Sequence, residues 1–234
     1  MLAQIAYPLV SGQTRGTLIV LTVVVFFLTT LTHALVTRGP VWTALLVAVT
    51  AGGGLLAEAM GVASGWPFGS YAYADSLGLQ VLGVPVVIPL AWTMMAYPAY
   101  VAAGRLVSGR VARGLLTGYA LASWDLFLDP QMVDAGNWRW NNPHPVLPGV
   151  PGVPLTNYVG WLAVAVVMGL VLVCARHAPD AGHDAVPIAL YLWTYFSSVL
   201  AHAAFFGLAG SAVWGGVAMG LVAVPLLISV LRRR

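Results

Sequence analysis

The stretch from Trp124 to Trp140, WDLFLDPQMVDAGNWRW, holds the carboxylates that most plainly suggest chemistry. It places Asp125, Asp129 and Asp134, three of the chain's seven acidic residues, within ten positions. If the segment is helical, Asp125 and Asp129 share a face, because residues four apart are neighbours on a helix. Two carboxyls that close in a poorly solvated place keep one proton between them at neutral pH. The pair could therefore act as a general acid beside an ionised partner.

Two further acids lie ahead of this stretch. Glu58 comes near the end of an apolar run and Asp75 follows in the next loop. We predict that one of them is an ionised carboxylate that assists the acid pair. Asp134 falls in an open polar segment and is expected to be a solvated bystander. For Asp125 the alternative role is a helix-packing hydrogen bond or an ion pair, for which only Arg139 is near in sequence.

Aromatic residues cluster around these acids. An aromatic belt at the membrane surface accounts for some of them. Aromatic faces also stabilise a cation through their quadrupole, so acids ringed by aromatics suit carbocation chemistry on an alkene. The predicted substrate-binding residues are Trp66, Tyr71, Tyr73, Trp92, Trp124, Trp138 and Trp140.

The composition places these residues in a membrane protein. Of the 234 residues, 60% are hydrophobic and only 7% are charged, against roughly 25% charged in soluble domains. A membrane-spanning helix needs about 20 apolar residues. Seven such runs indicate an all-α, polytopic transmembrane helical bundle that forms a single integral membrane domain over residues 1–234. The runs are Thr17–Val36, Val41–Met60, Val81–Ala103, Val111–Leu128, Tyr158–Ala175, Ile188–Leu208 and Val213–Leu231.

The charge distribution predicts the orientation. All ten basic residues are Arg, and eight fall on the side of the membrane that holds the C-terminus. Because cytoplasmic loops are enriched in Lys and Arg, we predict a multi-pass protein of the cytoplasmic membrane with its N-terminus outside and its C-terminus inside. The arginines are scattered over several loops, which argues against nucleic-acid binding. Two long loops, Gly61–Gln80 and Asp129–Asn157, then lie together on the extracytoplasmic face.

Prolines predict where helices end and where they open. Asp129 precedes Pro130, and the position before a proline disfavours helix, so Asp129 is expected to mark the end of its helix. The third apolar run holds Pro85, Pro89 and Pro98. Their missing N–H groups free carbonyls that a membrane tolerates only beside neighbouring donors or a polar cavity. We therefore expect a cavity beside this helix.

Two segments of the chain look alike. VLGVPVVIPLAW, which ends at Trp92, and VLPGVPGVPLTNYVGW, which ends at Trp161, each contain a Gly-Val-Pro turn, a second proline and a tryptophan. The interval along the chain from Glu58 to Trp92 is nearly the same as the interval from Asp125 to Trp161. The pattern predicts an internal repeat of two helical hairpins with a site between them. Chance similarity between proline-rich helix starts is the alternative.

Other chemistries lack their residues in this sequence. The five histidines are dispersed, whereas membrane di-iron enzymes need clustered His motifs. The single Cys174 excludes a disulfide framework or a thiolate metal cluster within the chain. Gly52, Gly54 and Ala57 fit a loose GxGxxA pattern but have no strand before them, so they indicate helix packing and not a dinucleotide site. We predict no metal and no cofactor.

The segments FGSYAYADSLGLQVLGVPVVIPLAWTMMAY, WDLFLDPQMVDAGNWRW and GVPLTNYVGW together resemble the membrane-embedded carotenoid hydratases. The resemblance covers residues 58–161, about the central half of the chain. It implies addition of water to the terminal carbon–carbon double bond of an acyclic, lycopene-derived carotenoid, without oxygen, metal or redox cofactor. It also allows association with other enzymes of carotenoid biosynthesis.

The spacing of the acids suggests roles in that implied reaction. A protonated carboxyl, Asp125 or its partner Asp129, protonates the alkene at its less substituted carbon and leaves a tertiary cation. Ionised Glu58 or Asp75 then orients and deprotonates the captured water.

Two other functions are compatible with the sequence. Asp125 and Asp129 form a DxxxD pattern like those that hold magnesium and diphosphate in prenyltransferases, and Asp180 with Asp184 forms another. Against this function, the two pairs are predicted on opposite membrane faces and almost no Arg lies near the first. The second alternative is a non-catalytic carotenoid-binding or transport protein whose acids and prolines line a pathway.

Overall fold

Long helices follow the seven predicted apolar runs, in a computed structural model that describes residues 2–175 and 184–232. The all-α prediction is confirmed, and strands occur only as short pieces in the described loops. A π-helical turn, Ala48–Gly52, joins two of the helices into one continuous segment. The helices are α1 (Leu2–Ala6), α2 (Gly12–Arg38), α3 (Pro40–Val47), α4 (Gly53–Ser64), α5 (Val87–Leu106), α6 (Arg110–Asp134), α7 (Leu155–Cys174), α8 (Ala185–Ala204) and α9 (Ala209–Leu231).

Six helical segments in the described part of the chain are long and apolar enough to cross a membrane. They are α2, the continuous segment Pro40–Ser64, α5, α7, α8 and α9. The seventh long helix, α6, has the length to span but carries arginines in its first turns and the acids in its second half. It packs against α5, α7 and α9, which bury its middle. The helix that carries the acid pair is thus shielded by the others.

Helix α5 occupies the centre of the bundle, and 89% of its most apolar stretch is buried. It begins at Val87, so the predicted start at Val81 is wrong. The preceding residues instead form a two-stranded turn, in which β2 (Gln80–Val81) pairs with β3 (Val84–Pro85). Pro85 therefore lies ahead of the helix and does not interrupt it.

Pro98 stays inside α5 because a neighbouring side chain replaces the hydrogen bond that it removes. A proline cannot donate to the carbonyl four residues earlier, which here is Met94. The Thr30 hydroxyl on α2 donates to the Met94 carbonyl at 3.2 Å. The predicted cavity beside this helix is also present, and Met94 is among the residues that line it.

Pro130 is tolerated inside α6 for the same reason. It frees the carbonyl of Leu126, and the Ser211 hydroxyl on α9 donates to that oxygen at 2.6 Å. The prediction that the helix ends at Asp129 is therefore wrong: α6 continues to Asp134, and the second long loop begins after it. Because α6 continues past Pro130, Asp125 and Asp129 both lie in helical backbone and share one helix face.

The two long loops meet through a pair of short strands. Strand β1 (Tyr71–Tyr73) runs antiparallel to β4 (Trp138–Trp140), with Ala72 opposite Arg139 at the centre. The interval along the chain from Glu58 to the start of β1 equals the interval from Asp125 to the start of β4. This register is symmetric about the central pair, as the predicted repeat of two hairpins requires. The hairpins α4–α5 and α6–α7 thus approach each other through equivalent positions.

Candidate functional site

Glu58, on α4, is buried and lies at the centre of a set of donors. The hydroxyl of Tyr71 donates to Glu58 Oε2, and the hydroxyl of Tyr73 donates to the same atom at 2.8 Å. The indole N–H of Trp92, on α5, donates to Glu58 Oε1 at 3.1 Å. Hydrogen bonds of this kind stabilise the ionised form of a carboxylate. The donors from the loop strand and from α5 thus offset part of the cost that burial places on a charge at Glu58.

The two tyrosines of this set keep their protons. Burial, and next the negative charge of Glu58, raises the pKa of Tyr71 above its ordinary value, and the same two causes raise the pKa of Tyr73. Both phenols are therefore neutral donors at physiological pH. Their position follows from the strand: alternate residues of β1 point to one face, so both face the interior while Ala72 faces out.

A second carboxylate cluster lies on the other hairpin. Asp125 and Asp129, four residues apart on α6, both accept from the side-chain amide of Asn157, at the start of α7. The distance from Asn157 Nδ2 to Asp125 Oδ2 is 2.8 Å. All three side chains are buried, and two neighbouring carboxylates out of water cannot both be charged at low cost. One amide donor cannot compensate two charges, so the pair holds a proton.

The two aspartates differ in what they reach. Asp129 and Asn157 line the internal cavity, whereas Asp125 lies behind them and is fully buried. Asp125 Oδ1 has no hydrogen-bond partner among the described residues. Asp129 is thus the member of the pair that can meet a bound molecule, with Asp125 as its inner neighbour.

Two tryptophans from equivalent positions in the hairpins stack on each other beside the acids. The rings of Trp92 and Trp161 lie 3.8 Å apart at 8°, and Trp124 meets Trp161 edge-on at 6.4 Å. Gly54 makes room for this stack, because a Cβ atom there would lie 2.8 Å from the indole of Trp92. The glycine that fits the loose dinucleotide pattern is therefore a packing residue, as predicted.

The paired strands β1 and β4 cover the acids on the side of the two long loops. Tyr71 lies against Trp140 at 5.4 Å, and Tyr73 meets Trp138 edge-on at 5.5 Å. The indole N–H of Trp140 donates to the carbonyl of Phe68 at 2.8 Å, which fixes the strand to the first loop. The aromatic side chains of both loops thus form one roof over the acids.

The acids and the aromatics enclose a cavity of about 150 Å³. Glu58 and Asp129 both line it, together with the two loop strands and the stacked tryptophans. Apolar side chains from α2 and α5 form the wall beyond, among them Val23, Phe26 and Ile88. The cavity can hold an apolar group with a proton donor and an anion at its surface.

Most of the predicted site residues line this cavity. Trp66 does not, and is 66% exposed just after the end of α4. Asp75 is exposed on the turn Asp75–Leu77 and is not among the residues that line the cavity. The predicted residues that line the cavity are Glu58, Tyr71, Tyr73, Trp92, Trp124, Asp129, Trp138 and Trp140.

Sequence reasoning did not assign a site role to Asn157 or to Trp161. Both belong to TNYVGW, the second of the two similar helix starts. Trp161 matches Trp92 in that comparison, so the repeat itself contains the signal. Asn157 has no counterpart in the first copy, and only the fold brings it to the aspartates.

Comparisons with known proteins agree on a biosynthetic context. The family model described as "Carotenoid biosynthesis protein" matches residues 16–225. Bisanhydrobacterioruberin hydratase of Haloarcula japonica is 36% identical over 110 residues, which cover 45% of this chain and 36% of that protein. The match thus spans little more than a third of the curated relative. No solved structure matches the chain significantly.

Proposed function

Because the chain belongs to the carotenoid biosynthesis protein family, we propose that it is a carotenoid hydratase. It adds water to the terminal double bond of an acyclic carotenoid and forms a tertiary alcohol. The observation that carries this proposal is the cavity that Asp129 and Glu58 share, with aromatic faces around them. The name of the partly matching relative, a hydratase, supports the same reaction class.

The first step is protonation of the alkene. Asp129 lines the cavity and passes the proton that the aspartate pair holds to the less substituted carbon, where a C–H bond forms at the expense of the double bond. The adjacent tertiary carbon becomes a cation. The amide of Asn157, which already donates to Asp129, stabilises the carboxylate that remains.

The second step is stabilisation of the cation. Trp92 and Trp161 present aromatic faces in the cavity, and Tyr71 and Tyr73 add theirs from the roof. Such faces attract a cation through their quadrupole, by about 2 kcal/mol or more where water is excluded. The apolar wall holds the rest of the terminal group in place.

The third step is capture of water. A water oxygen forms the C–O bond to the tertiary carbon, and the proton that it loses goes to the carboxylate of Glu58. The three donors on Glu58 favour the anion that this role needs. Return of that proton to Asp129 completes the cycle, and the net change is one water added. We assign this role to Glu58 and not to Asp75, which is exposed outside the cavity.

The prenyltransferase alternative has less support. Its second DxxxD pattern includes Asp180, which lies outside the described residues, and Asp184, which pairs with Arg38 at 2.6 Å. No arginine is among the described residues that line the cavity, so nothing there would neutralise a diphosphate. Asp125 and Asp129 are instead tied to one amide.

Expression of the chain in a host that makes lycopene tests the proposal. A pigment heavier by one water, with its oxygen labelled from heavy-isotope water, is the expected result. Unchanged pigment that co-purifies with the protein would favour the binding function, and a lengthened isoprenoid would favour prenyl transfer. Label arriving from molecular oxygen would contradict hydration.

A further inference from the structure

The cavity is lined by polar groups besides the acids that the proposed chemistry does not yet use. Among them are Tyr7, from the 3-10 turn Tyr7–Leu9, Gln131, on α6, and Ser197 and Ser198 of α8. Most of the other lining side chains are aliphatic or aromatic. A few polar groups in a largely apolar cavity indicate where a small polar molecule is held.

The side chain of Gln131 is held by a chain of hydrogen bonds that begins at Pro130. The single hydroxyl hydrogen of Ser211 is donated to the Leu126 carbonyl at 2.6 Å. Ser211 must then accept from His202, whose Nδ1 lies 2.9 Å from the hydroxyl oxygen. The imidazole therefore carries its proton on Nδ1, and its Nε2 is an acceptor.

That tautomer sets the orientation of the amide. His202 Nε2 lies 3.4 Å from the position of Gln131 Oε1, and the oxygen and nitrogen of a side-chain amide can exchange places without changing its shape. An acceptor nitrogen requires a donor opposite it, so the NH₂ group of Gln131 turns to the imidazole. The amide oxygen is then free to accept a hydrogen bond from a molecule in the cavity.

Tyr7 supplies the second group. Tyr7 is 7% exposed, and none of the described residues lies within ordinary hydrogen-bond geometry of its hydroxyl; the amide of Gln131 is the side chain that it meets at longer range. Phe206 packs edge-on against its ring at 5.7 Å, and the Arg15 guanidinium lies 5.1 Å over it, so the ring is fixed. A buried hydroxyl is normally hydrogen-bonded, which indicates that a ligand completes this one.

We propose that Tyr7 and Gln131 hold the water molecule that the cation captures. The inference rests on the proposed hydratase function and adds a site to it. The water donates one hydrogen bond to the amide oxygen of Gln131 and keeps a lone pair for the C–O bond, and its other proton passes to Glu58. His202 is a positioning residue, because it acts only through Gln131. Tyr7 lies ahead of the residues that match the family model.

The test separates formation of the cation from its capture. A cation that finds no water loses a proton again, so in D₂O the recovered lycopene gains deuterium without being hydrated. Membranes that contain the full chain are incubated with lycopene in D₂O, and both pigments are quantified by mass spectrometry. The variants are Tyr7→Phe, Gln131→Met and the double variant. Tyr195→Phe is the matched control, since it removes a hydroxyl that donates to Gly216 outside the cavity.

We expect the double variant to hydrate at least about tenfold more slowly, the effect of losing a buried hydrogen bond to the nucleophile. Deuterium uptake into recovered lycopene should persist, and the control should match the unmodified protein. An equal fall in hydration and deuterium uptake, or no fall in either, would overturn the water site. Tyr7→Phe removes one oxygen atom and still decides the question if Gln131→Met does not fold. Unmodified membranes that neither hydrate lycopene nor exchange deuterium would overturn the hydratase function itself.

Discussion

At the scale of single residues, the site separates two carboxylate environments. Glu58 accepts from three side chains, each of which favours its anion. Asp125 and Asp129 share one amide donor and hold a proton between them. Acids at one cavity whose neighbours favour opposite protonation states suit acid–base catalysis at neutral pH. The neighbours of each acid set its proposed role.

Asp129→Asn is expected to lower the rate of carotenoid hydration by at least about 100-fold, because an amide cannot donate the proton. Asp125→Asn should retain more activity, since Asp125 does not reach the cavity. The rate is measured as hydrated pigment formed per amount of protein in the membrane. Asp134→Asn, on the exposed end of the same helix, serves as the control. Full turnover by Asp129→Asn would remove it as the proton donor.

At the scale of helices, two prolines are accommodated by hydroxyls from neighbouring helices. Thr30 compensates Pro98, and Ser211 compensates Pro130. These hydrogen bonds satisfy the carbonyls that the prolines leave without a backbone donor. A protein in a membrane requires this, because the bilayer core offers no water as a substitute. The Ser211 contact also orients His202, so it couples the helix to Gln131, which lines the cavity.

Ser211→Ala is expected to destabilise the protein by about 1–3 kcal/mol, because the Leu126 carbonyl loses its donor. The loss should be smaller in a Pro130→Ala background, where a backbone N–H again reaches that carbonyl. Thermal unfolding of the detergent-solubilised protein measures both effects. Ser229→Ala, which removes a contact within a single helix, is the control. Equal losses in the two backgrounds would show that the serine does not compensate the proline.

The same contacts explain what the sequence could and could not predict. Apolar runs were enough for the number and order of the long helices. The cavity beside α5 is present, but Thr30 and not the cavity satisfies the carbonyl that Pro98 frees. The predicted end of α6 was wrong by more than a turn. The carbonyl that Pro130 leaves without a donor receives a hydrogen bond from α9, which lies far along the chain. The sequence could not show that Asp75 and Trp66 lie outside the cavity. Residues in loops follow no periodic pattern from which the direction of a side chain could be inferred.

At the scale of the whole molecule, Arg38, Arg105 and Arg110 lie at one end of the bundle and the candidate site lies at the other. Arg38 and Arg105 end α2 and α5, and Arg110 begins α6. Arg139 lies on the roof strand β4, at the end that holds the acids. The positive-inside rule then predicts a cytoplasmic arginine face and a site near the outer surface.

Labelling of single cysteines tests this orientation. In a Cys174→Ser background, Asp75→Cys should react with a membrane-impermeant maleimide on intact cells. Arg110→Cys should react only after the cells are permeabilised, because its helix begins on the predicted cytoplasmic face. Both positions are exposed. The reverse pattern would show that the N-terminus is inside.

The symmetric pairing of β1 with β4 has a consequence for ancestry. Each strand begins at the same interval after the acid of its own hairpin, and the two tryptophans that stack also come from equivalent places. One hairpin that met a second copy of itself would form the same two-stranded roof and the same indole stack. The chain therefore has the organisation that duplication and fusion of a gene for a self-associating hairpin would produce. Two copies joined in one chain need not remain alike, which is the condition for the proposed division of roles between a carboxyl that gives a proton and one that takes it.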